Sequence, residues 1–137
     1  METLSSSTLG KMIIARVSLC LAMLAAAALG CAPRDPSFQQ GQEIYKSYCV
    51  PCHGLKGGGI LYSKTVLNNN AFVTGNPDEV TAVILFGKVG SGTMPGWHTK
   101  LNDQEVAAVA TFIRQAWSNQ AAPVTASMVK KIRTRME

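Results

Sequence analysis

The run Cys49-Val-Pro-Cys-His53 constrains the fold of this chain most strongly, because it places two thiols and an imidazole in one short stretch. Two cysteines at this spacing serve as a redox dithiol, as half of a zinc site or as the attachment point of a covalent cofactor. A dithiol of the thioredoxin type belongs to a βαβ pattern, and a structural zinc site needs four ligands. The rest of the chain has to decide between these possibilities.

Residues 1–30 are predicted to be a targeting segment rather than part of the fold. The stretch 17–33 carries no charge, follows two basic residues and contains small residues near Gly30, as a signal-peptide cleavage site requires. The tetrad Ala-Leu-Gly-Cys at 28–31 resembles the bacterial lipoprotein box, which implies lipidation of Cys31. Ordinary cleavage near Gly30 and an uncleaved membrane anchor are the alternatives, and all three outcomes export the chain.

The remainder divides into a linker (31–37), a body (38–119) and a basic C-terminal tail (120–137). Loss of residues 1–30 removes two basic residues and one acidic residue, which lowers the net charge from +5 to +4. The tail has no interleaved aromatic residues or nucleic-acid-binding signature, so we expect no nucleic-acid partner. A solvated end is favoured, and contact with lipid headgroups or a partner is the alternative. Its four cations are Lys130, Lys131, Arg133 and Arg135.

Three helices and no convincing strand are predicted in the body. They cover Phe38–Tyr48, Asn76–Phe86 and Asp103 to about Trp117. The second and third open with an asparagine followed three residues later by a glutamate, which is the signature of a capping box. These pairs are Asn76 with Glu79 and Asn102 with Glu105. The buried stripe of the third helix is predicted to contain Val106, Val109, Ala110, Ile113 and Trp117.

Three helices with long glycine-rich loops give a thin core, so we expect a large apolar cofactor to fill the centre. The helix before the cysteines and the absence of a βαβ pattern disfavour a redox dithiol. For zinc, the body offers Cys49, Cys52, His53 and only the distant His98 as a fourth ligand. The remaining possibility is haem c, for which C-x-x-C-H is the attachment signature. Both thiols would form thioethers with the porphyrin, and the imidazole would bind iron.

The chain resembles the class I cytochrome c family from about Phe38 to Asn119. The spacing Gly41-x-x-x-Tyr45 before the haem motif resembles the family's N-terminal helix pattern. The resemblance implies an all-α cytochrome c fold, with three to four helices and long loops around one covalent haem c. It also implies that the terminal helices cross, with Gly41 in close contact with an aromatic side chain, best matched by Phe112.

The run GTMPGW at 92–97 resembles the Met-Pro ligand loop of that family. The resemblance implies Met94 as the second iron ligand beside His53, and a thioether favours ferrous iron. The alternatives are that Met94 only packs in the core and that His98 binds iron instead. Trp97 is expected to pack near the haem edge or a propionate.

One departure from the family concerns the loop after the haem motif, which commonly contains a proline. Here no proline occurs between Pro51 and Pro77. A backbone carbonyl in this loop normally accepts the hydrogen bond of the proximal imidazole and fixes the ring. We expect a carbonyl near Ile60 or Leu61 to take this role.

With His53 and Met94 both on iron, no coordination position stays open for a substrate, so we predict an electron carrier and not an enzyme. The predicted protein is a lipid-anchored monohaem cytochrome c on the periplasmic side of the bacterial cytoplasmic membrane. It would connect a redox-protein donor and acceptor in a respiratory chain. One alternative is an electron-transfer subunit of a dehydrogenase, reductase or oxidase complex, because the tail after Trp117 resembles extensions in such complexes. Another is a haem enzyme or gas-binding protein with a labile Met94.

Overall fold

Six helices form the regular structure of the part of the chain that the computed structural model describes, which is residues 35–60, 65–89 and 93–136. They are α1 (Pro36–Tyr48), α2 (Val50–His53), α3 (Ala71–Thr74), α4 (Pro77–Phe86), α5 (Asp103–Gln115) and α6 (Ala126–Met136). Within these ranges the extended pairing consists of one antiparallel bridge, between Lys88 and Met94. The predicted all-α class is confirmed, whereas the signal segment and Cys31 lie outside the described residues.

The crossing of α1 and α5 is the most extensive helix contact among the described elements. A Cβ atom added to Gly41 would lie 2.9 Å from the Cβ of Phe112 and would collide with the carbonyl of Ala108. Phe112 also contacts the rings of Phe38 and Tyr45, at centroid distances of 5.1 and 5.2 Å. The predicted crossing and the role of Gly41 are therefore confirmed, since only glycine permits this backbone approach.

The ends of α4 and α5 are set by asparagine caps. Asn102 accepts hydrogen bonds from the backbone of α5, and Glu105 accepts one from the Asn102 backbone, so this predicted capping box is confirmed. At α4, Asn76 caps the helix, but Glu79 accepts a 3.5 Å bond from the Asn76 side chain instead of its backbone. The capping box predicted for Asn76 and Glu79 is therefore wrong, although Asn76 does cap α4.

Helix α5 is buried on more faces than its predicted stripe. All side chains from Val106 to Arg114 are buried, because α1, α4 and α6 pack around this helix. The four predicted stripe residues inside the helix are confirmed. The fifth, Trp117, is half-buried and lies beyond the end of α5, with a left-handed backbone φ of +58°.

The tail residues 120–137 contain α6, which packs on α4 and α5. Val129 and Ile132 are buried, and the guanidinium of Arg133 binds backbone carbonyls of the body. The predicted solvated end is therefore wrong for the inner face of α6, where Val129 and Ile132, spaced at i and i+3, are buried against the body. The other three cations, Lys130, Lys131 and Arg135, are exposed as predicted.

Candidate cofactor site

An apolar cavity that is partly open to solvent is formed mainly by α1, α4, α5 and the loops between them. The wall contains side chains from all three predicted helices, from the cysteine motif and from the Met-Pro loop. Its members are Tyr45, Tyr48, Cys49, His53, Leu67, Phe72, Val73, Val80, Val83, Ile84, Met94, Trp97, Leu101, Val109 and Ile113. The cavity lies in the centre of the helical body, where the sequence predicts a large apolar cofactor.

The cysteine motif is wound as a helical turn directly after α1. The backbone N–H of Cys49 donates to the carbonyl of Tyr45 (2.9 Å), and the backbone N–H of His53 donates to the carbonyl of Cys49 (2.9 Å). Helical spacing therefore puts Cys49 and His53 on the same side, and both line the cavity. Cys52 lies between them in sequence and is exposed, outside the lining residues.

The imidazole of His53 is oriented by a hydrogen bond of 2.7 Å between its Nδ1 and the carbonyl of Thr65. A carbonyl can only accept, so Nδ1 carries the proton and Nε2 keeps its lone pair for a metal. The predicted acceptor near Ile60 or Leu61 is therefore wrong. Sequence reasoning missed Thr65 because any residue supplies a carbonyl, and no side-chain signal marks the one that faces the ring.

The segment that carries Thr65 is held by two further contacts. The carbonyl of Gly57 accepts hydrogen bonds from the N–H groups of Leu67 (2.7 Å) and Asn68 (3.0 Å). On the other side, the buried amide of Asn119 donates to the carbonyl of Leu67 at 2.8 Å. The proline-free loop is thus anchored at its end to the segment after α5.

Tyr45 connects α1 to the end of the cysteine motif. Its hydroxyl donates a 2.6 Å hydrogen bond to the carbonyl of Gly54, and its ring contacts Phe112 and Trp117. Burial, with a smaller contribution from Cys49, raises the pKa of Tyr45 well above its ordinary range. The phenol therefore stays neutral and keeps its proton for Gly54.

The surroundings of the cysteines disfavour the two other kinds of site. Burial, with a smaller contribution from Cys52, raises the pKa of the Cys49 thiol to about 11. A reactive dithiol needs a thiol pKa that is lowered instead. Among the described residues, no group of three or more His, Cys, Asp or Glu side chains is arranged to hold a metal ion, which disfavours a closed zinc site.

Arg114 fixes another part of the cavity wall, and sequence reasoning missed it. Its guanidinium is buried and donates to the carbonyls of Val73 (2.7 Å), Gly75 (3.0 Å) and Ala122 (3.0 Å). Burial lowers the pKa of Arg114. These bonds connect α5 to the end of α3, where Val73 lines the cavity, and to the segment that leads to α6.

Met94 lines the cavity from a loop that is fastened to the C-terminal end of α4. Its backbone N–H donates to the carbonyl of Lys88, and its carbonyl accepts from the backbone N–H of Lys88, both at 3.0 Å. Gly87 has a φ of +81°, and a Cβ atom there would lie 2.8 Å from the backbone N of Gly96. This close return of the chain brings Met94 into the same wall as Cys49 and His53.

His98 and Trp97 lie on different sides of this loop. Trp97 lines the cavity, and its ring centroid is 5.0 Å from that of Tyr48. His98 is exposed and absent from the cavity wall, and its ring stacks on Phe86 at 5.5 Å. Its Nδ1 lies 3.2 Å from the carbonyl of Leu85, which directs that nitrogen to the backbone of α4.

The donor set around the cavity fits a covalent haem. Cys49 lines the cavity, and Cys52, which is exposed, lies three residues later in the same helical turn. The hydrogen bond between Nδ1 of His53 and the Thr65 carbonyl leaves Nε2 available to a metal. A thioether side chain, that of Met94, enters the same wall, and the remaining lining is almost entirely aliphatic or aromatic. This combination of ligands and apolar surroundings is typical of haem c sites.

Comparison with known proteins agrees with this fit. Residues 36–113 match the family model described as cytochrome c oxidase, cbb3-type, subunit III. The match covers more than half of the chain, and the chain belongs to this family of c-type cytochromes. It is an electron-transfer cytochrome domain with one covalently bound haem c.

Three relatives illustrate the similarity. The chain is 34% identical to the cytochrome c subunit of alcohol dehydrogenase (quinone) from Gluconobacter oxydans (strain 621H), over 69% of this chain and 22% of that protein. It is 33% identical to the gluconate 2-dehydrogenase cytochrome c subunit of Pantoea cypripedii, over 69% of this chain and 24% of that protein. Cytochrome c6 of Leptolyngbya boryana is 32% identical over 53% of this chain and 85% of its own length. The chain therefore spans about a quarter or less of the two dehydrogenase subunits.

Proposed function

We propose that this protein carries single electrons through one haem that is attached at Cys49 and Cys52 and ligated by His53 and Met94. The observation that carries the proposal is the shared cavity wall, which contains His53 and Met94 but not His98. The haem supplies the reversible ferric and ferrous states of its iron. The protein supplies the ligands, their orientation and an apolar cavity around them.

Thr65 and the two ligands, His53 and Met94, have defined tasks in this proposal. The Thr65 carbonyl fixes the ring of His53 and makes its Nε2 a more basic metal ligand. The thioether of Met94 is a soft, neutral ligand that favours ferrous iron and raises the reduction potential. If His53 and Met94 both bound the iron, no coordination position would be left for a substrate, which fits electron transfer better than catalysis.

The ligand assignment is tested by the absorption spectrum and reduction potential of the Met94→Ala holoprotein. We expect loss of the weak methionine-to-ferric-iron band, a lower reduction potential and binding of carbon monoxide by the reduced protein. Met136→Ala is the matched control, because this methionine is 53% exposed and absent from the cavity wall. His98→Ala tests the alternative ligand and should keep the band. An unchanged spectrum in Met94→Ala would refute the assignment.

We further propose that the protein is exported and tethered to the periplasmic side of the cytoplasmic membrane through a lipid on Cys31. The support is the uncharged segment of the first 30 residues and the tetrad that ends at Cys31. Among the described residues, no helix is both long and apolar enough to cross a bilayer. The mature protein should have the mass of residues 31–137 plus one haem and a lipid, and Cys31→Ser should lack the lipid. A mature mass without lipid would contradict the tether.

A second candidate is a fixed electron-transfer subunit of a dehydrogenase or oxidase complex. It is favoured by relatives named as cytochrome c subunits of an alcohol dehydrogenase and a gluconate 2-dehydrogenase. Purification in mild detergent from the native membrane distinguishes the two. A larger redox protein in stoichiometric amount would support the subunit and exclude a free carrier between a donor and an acceptor protein. Recovery of the cytochrome alone would support the free carrier.

A further inference from the structure

Arg133 on α6 makes three hydrogen bonds at the end of the segment that carries Met94. This Met94 segment is defined as residues 93–101. The Nη1 of Arg133 donates to the carbonyl of His98 at 2.6 Å, and Nη2 donates to the carbonyl of Leu101 at 2.9 Å. Its Nε donates to the carboxylate of Asp103, in the first turn of α5, at 2.8 Å. One side chain thus connects the end of the Met94 segment to two helices.

The geometry around Arg133 gives these bonds more strength than a surface ion pair has. The side chains of Arg133 and Asp103 are only 18% and 29% exposed, whereas those of the other described ion pair, Lys46 with Glu43, are 45% and 69% exposed. Water and salt screen a half-buried pair less. The backbone of α6 is held in turn by Val129 and Ile132, whose side chains are buried.

The other attachments of the Met94 segment are uncharged. Trp97 and His98 donate their backbone N–H groups to the carbonyls of Ile84 and Leu85 on α4, each at 3.0 Å. Among the described residues, the pair of Arg133 with Asp103 is the only ion pair beside this segment. Leu101, whose carbonyl binds Arg133, lines the cavity together with Met94. A displacement of this end would therefore alter the wall that presents the thioether.

We propose that Arg133 is a positioning residue that holds the Met94 segment against the cavity and so keeps the Met94 thioether on iron. The inference rests on the proposed ligation by Met94. It assigns to α6, which is absent from the residues matched by the family model, a part in setting the ligand strength and the reduction potential.

The test compares Arg133→Ala with Arg135→Ala in the full-length holoprotein. Arg135 is exposed on the same helix, so its removal deletes the same charge without touching the Met94 segment. Hydrogen exchange of the Trp97 and His98 amides reports local opening of the segment. We expect exchange about tenfold faster or more in Arg133→Ala, because charge-assisted hydrogen bonds are lost, and no change in Arg135→Ala. The methionine-to-iron band should weaken, and carbon monoxide binding should appear, only in Arg133→Ala.

Further variants separate positioning from general stability. Arg133→Lys keeps the charge but not the three-way geometry, so it should restore the band only in part. Asp103→Asn breaks the ion pair without altering α6 and should also accelerate exchange at His98. Amides in the centre of α5, such as that of Ala110, should exchange at the wild-type rate in all of these variants. Equal acceleration at Ala110 and His98 would overturn the inference.

The outcome also separates this inference from the ligand proposal. If Met94→Ala leaves the spectrum unchanged, the ligation itself is refuted. If the spectrum responds to Met94→Ala but neither the band nor the exchange of His98 responds to Arg133→Ala, only the role of Arg133 is overturned.

Discussion

Replacement of Gly41 by alanine tests the helix crossing on which the cavity depends. The added methyl group would collide with the backbone carbonyl of Ala108 and lie 2.9 Å from the Cβ of Phe112. A backbone carbonyl in the middle of α5 cannot rotate away, so α1 and α5 would have to separate. The cavity would then change, because Tyr45 on α1 and Val109 on α5 both line it.

The size of the effect follows from two opposing contributions. Overpacking of a well-packed contact costs about 1–3 kcal/mol, and a collision with backbone belongs at the upper end of that range. Alanine recovers about 1 kcal/mol because it favours the helix more than glycine does. The net loss is therefore about 2 kcal/mol, which corresponds to a decrease in Tm of about 8–16 °C for a domain of this size.

Thermal unfolding of the holoprotein, followed by circular dichroism and by the main haem absorption band, measures this loss. Gly58→Ala is the matched control, because a Cβ atom at Gly58 meets nothing within 4 Å. That control should keep or slightly raise the Tm, since alanine restricts the unfolded chain. If Gly41→Ala unfolds at or above the wild-type temperature, helix propensity alone governs this position and the argument from close packing is refuted.

Three other predictions concern local contacts. Asn102→Ala removes the cap of α5 and should cost about 1 kcal/mol, a decrease in Tm of about 4–8 °C. Tyr45→Phe removes the donor to Gly54 and should lower the free energy of unfolding, measured in urea, by about 1–2 kcal/mol at neutral pH. Because burial raises the pKa of Tyr45, its stabilisation is complete below the ordinary phenol pKa of about 10 and is lost as the pH rises above it. Tyr45→Phe should therefore lack that part of the alkaline loss, and an identical pH dependence in both proteins would contradict the assignment. Gly87→Ala forces alanine into a left-handed conformation and should cost at least about 1 kcal/mol of stability. The Met94 loop should become looser, so the reduced protein should bind more carbon monoxide. Binding at the wild-type level would contradict this prediction.

Local features of the fold could be predicted well from the sequence. The cap at Asn102 and the end of α4 at Gly87 follow from residues whose side chains or backbone freedom act within one helical turn. Helix α3 was missed, although Asn70 caps it and could have indicated it. At four residues, this helix is too short for a periodic pattern to show.

The tail was predicted poorly for a different reason. Its sequence is dominated by charge, and Val129 and Ile132 are the two fully buried side chains on the side of α6 that packs on the body. Whether two such residues are buried depends on the surface that α4 and α5 offer, which no local pattern describes. The contacts of Arg133 depend on the same packing, because its partners lie between 30 and 35 residues earlier in the chain.

The sequence by itself determined which side chains this protein offers to a cofactor, because Cys49, Cys52, His53 and Met94 are side-chain identities at characteristic spacings. Only the tertiary structure decided which groups orient them. The acceptor for His53 is the carbonyl of Thr65. Every residue has such a carbonyl, so the choice depends on how the loop returns to the imidazole. For the same reason, the place of Arg133 beside the Met94 segment depends on how α6 packs on α4 and α5.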